Sequence, residues 1–501
     1  MGVDWNSFLE GFTTAMSFQN LLFIIIGGLL GTIVGMLPGL GPATAVAVLI
    51  PITFGMDSTS ALILLGAIYY GAMYGGSRSS ILINTPGDGS AIAATFDGYP
   101  MTRKGQAGQA LTLATLASLV GGLIAIIGFV FLAKPLAGFA LQFGPAEYFF
   151  LLVFTLSAVV SLSKGNMIKG FVSMVLGLLI TTIGIDSQSG VYRYTFDIPH
   201  LSEGIDFLVV IIGIYAVGEV LYNILLIKDE DQRIKDDVGK TWITKEQWRR
   251  SIGPILRQAP VGFLVGILPG AGGSIASMIS YSTEQQISKR GDEFGKGAPE
   301  GLAAPESSNN AAAVGAFIPL LTMGIPGSGT TAVILGALIM LGLQPGPMLF
   351  QNQPDVAWTF INSLFIGNIA LVIMNILLIG FLIKILKTPP HILYPIILVL
   401  AFIGTYTLGY SIIDFFILII FGIIGLFMKI LNIPTAPLIL AVIIGNQMEQ
   451  NYRMASVSYD GLWAMITASP IAILFAVLTV ASVFLPALFN RLSRVKVDNK
   501  G

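Results

Sequence analysis

Small polar side chains gather beside four Pro-Gly pairs in this sequence, and each pair interrupts an apolar stretch of the chain. A proline removes a backbone donor, and a glycine permits turns that a helix forbids. Hydroxyl, amide and freed carbonyl oxygens are hard ligands that suit Na⁺, whereas exposed amide groups and helix N-termini suit carboxylates. The chemistry that these residues predict is therefore binding of a cation and of an organic anion.

The four Pro-Gly pairs form two matching sets. The pattern G-[MI]-L-P-G-x-G covers residues 35–41 and again residues 266–272, with its prolines at Pro38 and Pro269. Each copy is followed by a second pair, at residues 84–87 and 324–327. Broken helices survive in hydrocarbon only where they are buried in protein or line a cavity, because their unpaired backbone groups are costly there. Two matching sets of breaks indicate the central site of a membrane transporter.

We predict that the substrate binds at these breaks. The predicted substrate-binding residues are Pro38, Gly39, Gly41, Thr44, Arg78, Asn84, Thr85, Pro86, Gly87, Gly270, Gly272, Gly273, Pro326 and Gly327. An alternative is that small residues only let helices pack closely. For four breaks with polar flanks we favour the binding interpretation.

A coupling ion is predicted beside the second-half breaks. The predicted ligands are neutral oxygens, from Ser307, Ser308, Asn309, Asn310, Ser328 and Thr330. Proton coupling would need a titratable group, for which Glu306 and Asp88 are the nearest candidates. Because neutral oxygens outnumber acids there, the sequence favours Na⁺ over H⁺.

Arg78 immediately precedes one break, and Asp88 is its nearest candidate charge partner in the sequence. An arginine in a membrane interior costs about 2.5–3.5 kcal/mol on insertion scales and normally marks a pathway or a pair. Two interpretations stay open. Arg78 receives a substrate carboxylate through paired hydrogen bonds, or it is an interfacial side chain that reaches toward the bilayer surface.

Composition predicts an all-α polytopic membrane protein. Hydrophobic residues make up 54% of the chain and charged residues 11%, whereas soluble domains carry about 25% charged residues. We expect about 10 to 14 membrane-embedded helical elements. The chain has no cysteine for disulfides or thiolate metal sites, and no basic tract for nucleic acid. Because the phosphate-loop and hydrolase motifs are also missing, we expect neither an enzyme nor a cofactor.

A charged stretch from residue 228 onward divides the chain. It predicts an N-terminal membrane half (1–227), a cytoplasmic linker (228–251) and a C-terminal membrane half (252–501), each half with one copy of the repeat. Trp242 and Trp248 raise the alternative of a helix on the membrane surface, although a solvated linker is favoured. The first twenty residues lack Lys and Arg, so we expect the N-terminus to be retained.

Several ordered motifs together resemble one transporter family. They are G-M-L-P-G-L-G-P-A-T, Y-Y-G-A-M-Y-G-G-S, N-T-P-G, D-G-Y-P-M, P-E-S-S-N-N-A-A and G-I-P-G-S. The set is similar to the large membrane subunit of the tripartite tricarboxylate transporters, over about residues 18 to 490. The resemblance implies uptake of di- and tricarboxylates across the bacterial inner membrane, driven by an ion gradient. It further implies two partners, a small four-helix membrane subunit and a periplasmic solute-binding protein. By analogy with other carboxylate transporters, it suggests two inverted halves and an elevator-like motion.

Two other functions remain open at this point. The first is a self-sufficient secondary carboxylate transporter that needs no binding protein. The second is a passive channel or a membrane scaffold, although the rings of acidic residues that favour a channel are not visible.

Overall fold

The computed structural model describes residues 4–37, 39–162, 167–186, 188–226, 239–386 and 390–498, with only the backbone at 226, 386, 390, 391, 393 and 485–498. Across these residues the fold is helical apart from one hairpin of two-residue strands. Among the described residues, six helices are long and apolar enough to cross a membrane, and shorter apolar helices accompany them. The predicted all-α polytopic membrane fold is confirmed.

The first half of the sequence forms ten α-helices among the described residues. They are α1 (Trp5–Ala15), α2 (Phe18–Gly35), α3 (Gly41–Leu49), α4 (Ser58–Ile83), α5 (Ile92–Arg103), α6 (Ala107–Ala140), α7 (Pro145–Leu162), α8 (Met167–Thr181), α9 (Phe207–Ile212) and α10 (Gly218–Leu226). A π-helical turn, Gly213–Val217, joins α9 to α10. Strands β1 (Gly184–Ile185) and β2 (Tyr192–Arg193) pair antiparallel. Short 3₁₀ turns lie at Ile50–Thr53, Gly89–Ala91 and Pro199–Glu203.

The second half continues with thirteen α-helices in the part that the structure describes. They are α11 (Lys245–Ile267), α12 (Gly272–Ile287), α13 (Pro299–Gly315), α14 (Phe317–Met323), α15 (Gly329–Met340), α16 (Pro347–Asn352), α17 (Pro354–Leu377), α18 (Ile379–Leu386), α19 (Pro390–Gly409), α20 (Ile413–Ile430), α21 (Ala436–Ser458), α22 (Gly461–Ile466) and α23 (Pro470–Asp498). One more 3₁₀ turn lies at Gly291–Glu293.

Glycines let two pairs of helices approach until their backbones touch. A Cβ added at Gly31 of α2 would overlap the Ile68 carbonyl of α4, and one at Gly262 of α11 would overlap the Ser308 carbonyl of α13. Small residues allow this close approach in membrane helices. Gly31 and Gly262 are as far apart in the sequence as the prolines of the two breaks. Their partners, Ile68 and Ser308, are as far apart as the prolines of the second Pro-Gly pairs. The same packing therefore recurs in register with the repeated motifs.

The chain divides into two compact units. The first comprises Met1–Gly138 and Leu208–Leu426, and it contains both Gly-packed helix pairs. The second comprises Phe139–Phe207 and Phe427–Gly501. In the second unit α7 packs against α21 and α23, and α8 packs against α21. The Ser173 hydroxyl of α8 donates to the Pro434 carbonyl at 2.5 Å.

Charged side chains hold the hairpin of the second unit. Arg453 binds the Asp186 carboxylate at 3.0 Å, and Arg193 binds Glu449 at 2.9 Å. The backbone N–H of Gln188 and the Arg453 guanidinium lower the pKa of Asp186 below its usual range. Strands this short are tied down by ion pairs and turn hydrogen bonds rather than by a sheet.

The predicted linker falls partly outside the described residues. From Lys245 onward the chain is helical, and Thr244 with Gln247 forms a capping box at the start of α11. The last residues of the predicted linker (228–251) thus belong to a helix, in which Trp248 packs against buried apolar side chains. The division at 1–227 and 252–501 stays a prediction.

Candidate functional site

The two G-x-L-P-G-x-G breaks share one backbone geometry. Gly39 and Gly41 have φ of +82° and +46°, and Gly270 and Gly272 have φ of +81° and +55°. These values lie in the left-handed region that side chains disfavour, so glycine is required at all four positions. A new helix begins directly after each break, α3 at Gly41 and α12 at Gly272. Pro38 lies outside the described residues.

The second Pro-Gly pair of each half packs beneath the break of the same half. A Cβ added at Gly87 would overlap the Gly35 carbonyl oxygen, and one at Gly327 would lie 2.7 Å from the Gly266 carbonyl oxygen. The break and the pair are joined directly in the second half, where the Gly270 N–H donates to the Gly327 carbonyl at 3.0 Å. The structure thus brings together breaks that are distant in sequence.

Asp88 and Ser328 occupy matching positions just after the Pro-Gly pairs. A Cβ added at Gly41 would lie 2.9 Å from the Asp88 Cβ, and one at Gly272 would lie 3.5 Å from the Ser328 Cβ. Ser328 caps α15 by exchanging hydrogen bonds with Thr331. One half therefore presents a carboxylate to its break and the other presents a hydroxyl.

Asn309 reaches from the second half to the first. Its side chain is fully buried, and neither amide atom has a hydrogen-bond partner among the described residues. A Cβ added at Gly273 would overlap the Asn309 Oδ1 and would lie 3.2 Å from the Ser90 Cβ. In the opposite direction, the Tyr69 side chain of the first half lies near Ser328 of the second. Each half thus contributes a polar side chain to the loop of the other.

The four consecutive residues of the predicted ion cluster point in different directions. Ser307 donates to the Ile255 carbonyl at 3.0 Å, Ser308 to the Ala276 carbonyl at 3.1 Å, and Asn310 to the Ser118 hydroxyl at 2.7 Å. A helix with 3.6 residues per turn separates neighbouring side chains by about 100°. The helix brings Asn309 toward the breaks and does not bring these four side chains to one point. Thr330 is buried at the start of α15.

Glu306 is buried in a cluster of hydroxyl groups. The Ser77 Oγ lies 2.7 Å from both carboxylate oxygens, and the Ser118 Oγ donates to Oε2 at 3.2 Å. Asn310 connects to the same cluster through Ser118 and through the Glu306 carbonyl. The acid is thus held on the face of α13 that contacts α4 and α6.

Arg78 is buried between α4 and α17, with a 3% exposed side chain. Its Nε donates to the Asn375 Oδ1 at 2.7 Å and its Nη2 donates to the Asn375 carbonyl at 2.8 Å. Nη1 has no partner among the described residues. This burial does not fit the interfacial interpretation, and one donor of the guanidinium remains for a ligand.

The remaining predicted residues near the first break make the following contacts. Thr44 of α3 donates to the Tyr215 carbonyl in the π-helical turn at 3.2 Å. Asn84 ends α4 in the left-handed conformation, with φ of 57°. Thr85 donates to the Ile83 carbonyl at 3.2 Å, and Pro86 follows in the same turn. Gly39 lies close to the Glu219 carboxylate.

Asp97 holds the two halves together, a role that was not predicted from the sequence. Its carboxylate accepts hydrogen bonds from the Gly297 and Ala298 N–H groups, both at 2.7 Å, and from the Tyr281 hydroxyl at 3.0 Å. Because Ala298 is the N-cap residue of α13, Asp97 caps that helix from a distant part of the chain. The D-G-Y-P-M motif was the only sequence signal that could have pointed to it.

Comparison with known proteins identifies the family. The sequence model of the tripartite tricarboxylate transporter TctA family matches residues 21–440. The chain belongs to the TctA family. Together with its apolar helices, this makes the chain a multi-pass membrane protein of a transporter family. The matched range contains all four breaks together with Asp88, Asn309 and Asp97.

Two relatives of this TctA protein come from Agrobacterium vitis. An uncharacterized 52.8 kDa protein in the TAR-I ttuC' 3'region is 42% identical over 491 residues, which is 97% of this chain and 98% of the relative. An uncharacterized protein in the TAR-II ttuC' 3'region is 43% identical over 211 residues, which is 42% of this chain and 87% of that relative. No solved structure matches the chain.

Proposed function

We propose that this chain is the large permease subunit of a binding-protein-dependent importer of di- and tricarboxylate-type anions in the bacterial inner membrane. Membership of a tripartite transporter family supports the general class. The observation that carries the proposal is the buried, unpartnered amide of Asn309 beside the breaks. An unsatisfied buried polar group costs about 1–3 kcal/mol, and a bound ligand would remove that cost.

The breaks supply the groups that a carboxylate needs. The helices α3, α12 and α15 begin directly after the breaks, so the positive ends of their dipoles lie there. Glycines at the breaks let a ligand approach the backbone closely. In this proposal the substrate binds among Gly41, Gly272, Gly273 and Ser328. Arg78 contributes its unpartnered Nη1 donor or holds α4 against α17.

Transport is driven by an ion gradient in this proposal, with Na⁺ as the coupling ion. Asn309 supplies a neutral oxygen at the breaks, and Ser90 supplies a hydroxyl beside it. H⁺ is the second candidate, since the buried Glu306 is bound by the hydroxyls of Ser77 and Ser118.

Two partner proteins complete the importer in this proposal. A periplasmic solute-binding protein delivers the anion, and a small four-helix membrane subunit accompanies the permease. The alternative is a self-sufficient carboxylate transporter. The glycine contacts that recur in register with the repeated motifs support two repeated halves, whose inverted orientation and elevator-like motion are part of the proposal.

Uptake measured in membrane vesicles tests this function. We expect uptake of di- or tricarboxylates that depends on Na⁺ and on the binding protein, and negligible uptake by the chain alone at micromolar substrate. Asn309→Ala should raise the Na⁺ concentration for half-maximal uptake by about tenfold or more, because a ligand oxygen is lost. Asn451→Ala, on α21 of the second unit, should leave that concentration unchanged.

Three outcomes would contradict parts of this function. Robust uptake by the chain alone in proteoliposomes would favour the self-sufficient transporter. Uptake that ignores Na⁺ but is lost in Glu306→Gln would replace Na⁺ by H⁺ as the coupling ion. Uptake of no organic anion in the complete system would remove the carboxylate class.

A further inference from the structure

The two Pro-Gly loops occupy matching places but differ in charge. Asp88 and Ser328 each come directly after the Pro-Gly pair of their loop, and their extended backbones have φ of −151° and −150°. Each lies close to the glycine at which a helix begins. Asp88 is close to Gly41 of α3, and Ser328 is close to Gly272 of α12. The first-half loop thus brings a carboxylate to the place where the second-half loop brings a hydroxyl.

Oxygen atoms from both halves meet beside this carboxylate. The Ser90 Oγ donates to the Asp88 Oδ1 at 2.7 Å, so its own lone pairs can coordinate a cation. A Cβ added at Gly273 would lie 3.2 Å from the Ser90 Cβ and would overlap the Asn309 Oδ1. The Asn309 oxygen, buried and without a partner among the described residues, therefore lines the same small space as Ser90.

Electrostatics favour positive charge in this space. Glu306 lies on α13 one helical turn before Asn309 and is a second buried acidic side chain. The side-chain partners of Glu306 within the described residues are the uncharged hydroxyls of Ser77 and Ser118. A cation bound beside Asp88 would be attracted by its carboxylate.

The types of ligand select a monovalent ion. Carboxylate, hydroxyl and amide oxygens are hard ligands. No group of three or more His, Cys, Asp or Glu side chains that could hold a metal ion occurs among the described residues. Ca²⁺ takes about 6–8 oxygen ligands, usually with several carboxylates. One carboxylate with two neutral oxygens suits an ion such as Na⁺ instead.

We propose that a sodium-like monovalent cation binds between Asp88, Ser90 and Asn309. This inference rests on the proposed ion-coupled uptake and names the charged ligand of the coupling ion. It places the cation on the first-half loop, with a single oxygen from the second-half cluster. Because Asn309 belongs to the second half, the bound cation bridges the two halves.

Thermal unfolding of the purified protein tests the site directly. The melting temperature should rise with NaCl, at an ionic strength held constant with choline chloride, because a ligand that binds the folded state stabilises it. Asp88→Asn and Ser90→Ala should each raise the NaCl concentration for half of this rise, by about tenfold or more for Asp88→Asn. Asp57→Asn, the same substitution at the exposed N-cap of α4, should leave it unchanged.

An unchanged NaCl midpoint in Asp88→Asn would overturn the proposal. If that variant does not fold, the midpoint of Ser90→Ala decides in the same way. Uptake that requires Na⁺ while both variants bind Na⁺ as the wild type does would refute only the placement of the cation. A wild type whose uptake and melting temperature both ignore Na⁺ would refute the coupling ion and this site together.

Discussion

Gly273 leaves the space into which the Asn309 side chain projects. Its φ is not in the left-handed region, so the reason for glycine there is room rather than backbone conformation. At Gly270 and Gly272, in contrast, a positive φ requires glycine. Neighbouring glycines in one break thus serve two different purposes.

Gly273→Ala should weaken uptake because its methyl group would displace Asn309. Overpacking of this kind costs about 1–3 kcal/mol, and a loss of that size in ligand binding corresponds to about 5- to 150-fold weaker binding. Substrate and Na⁺ dependence of uptake would be measured on vesicles with matched amounts of protein. Gly380→Ala, whose added Cβ meets no atom within 4 Å, is the control. Uptake equal to that of the control would show that Asn309 does not need its observed position.

The sequence predicts the glycines at this scale better than the polar side chains. Pro-Gly pairs in apolar sequence indicate breaks whatever the tertiary structure, so Gly39, Gly41, Gly270 and Gly272 could be chosen in advance. The direction of Asn309 depends on where α13 lies against its neighbours. For the same reason, no local signal could show that Arg78 binds Asn375, which lies in the other half of the sequence.

At the scale of elements, the α2–α4 and α11–α13 pairs form the frame beneath the breaks. In each pair a row of glycines on one helix lies against carbonyls of the other. Gly35 and Gly266 extend the rows by one turn. They lie against Gly87 and Gly327 of the second Pro-Gly pairs. The position of the breaks is therefore fixed by backbone contact rather than by side-chain packing.

Gly31→Ala and Gly262→Ala should destabilise the protein by similar amounts, about 1–3 kcal/mol each, because each added methyl would meet a carbonyl of the partner helix. Thermal unfolding in detergent would measure the loss. Gly367→Ala on α17 is the control, since its Cβ would meet the nearest atom at an ordinary 3.7 Å. Two variants as stable as the control would mean that the helices can separate at no cost.

The sequence predicts the apolar helices and their interruptions well, because both depend on local composition. It does not predict how helices are capped from a distance. Asp97 lies in α5 and caps α13, and a motif alone does not reveal that relation. The composition of the charged stretch favoured a solvated linker. In the structure α11 begins within that stretch, after its N-cap Thr244.

At the scale of the whole molecule, the two sequence halves depend on each other. Ser77 binds Glu306, Asn375 binds Arg78 and Asp97 caps α13, so each half supplies partners to buried polar groups of the other. The first compact unit likewise contains segments from both halves. Neither half alone can satisfy these groups.

A chain cut within residues 228–238 should fold only when both fragments are present. We expect each fragment alone to be degraded, and the co-expressed pair to co-purify and to support uptake, because the buried contacts lie outside the cut. Pull-down through a tag on one fragment would measure the association. A cut inside the buried helix α13 is the control, and it should abolish the association of the two fragments. A single half that purifies as a stable, monodisperse protein would contradict the dependence.

The π-helical turn Gly213–Val217 has a consequence in terms of chain length. A π-turn holds one residue more than the α-helical turn that it replaces, so the helix from Phe207 to Leu226 is one residue longer than its span requires. Passing that surplus residue along the helix would advance one end by about 1.5 Å and rotate it by about 100°. Because the Tyr215 carbonyl accepts the Thr44 hydroxyl, such a step would pull on the first half-helix without breaking any helix. The extra residue of the π-turn therefore allows the helix to shift its register by one residue beside the first break.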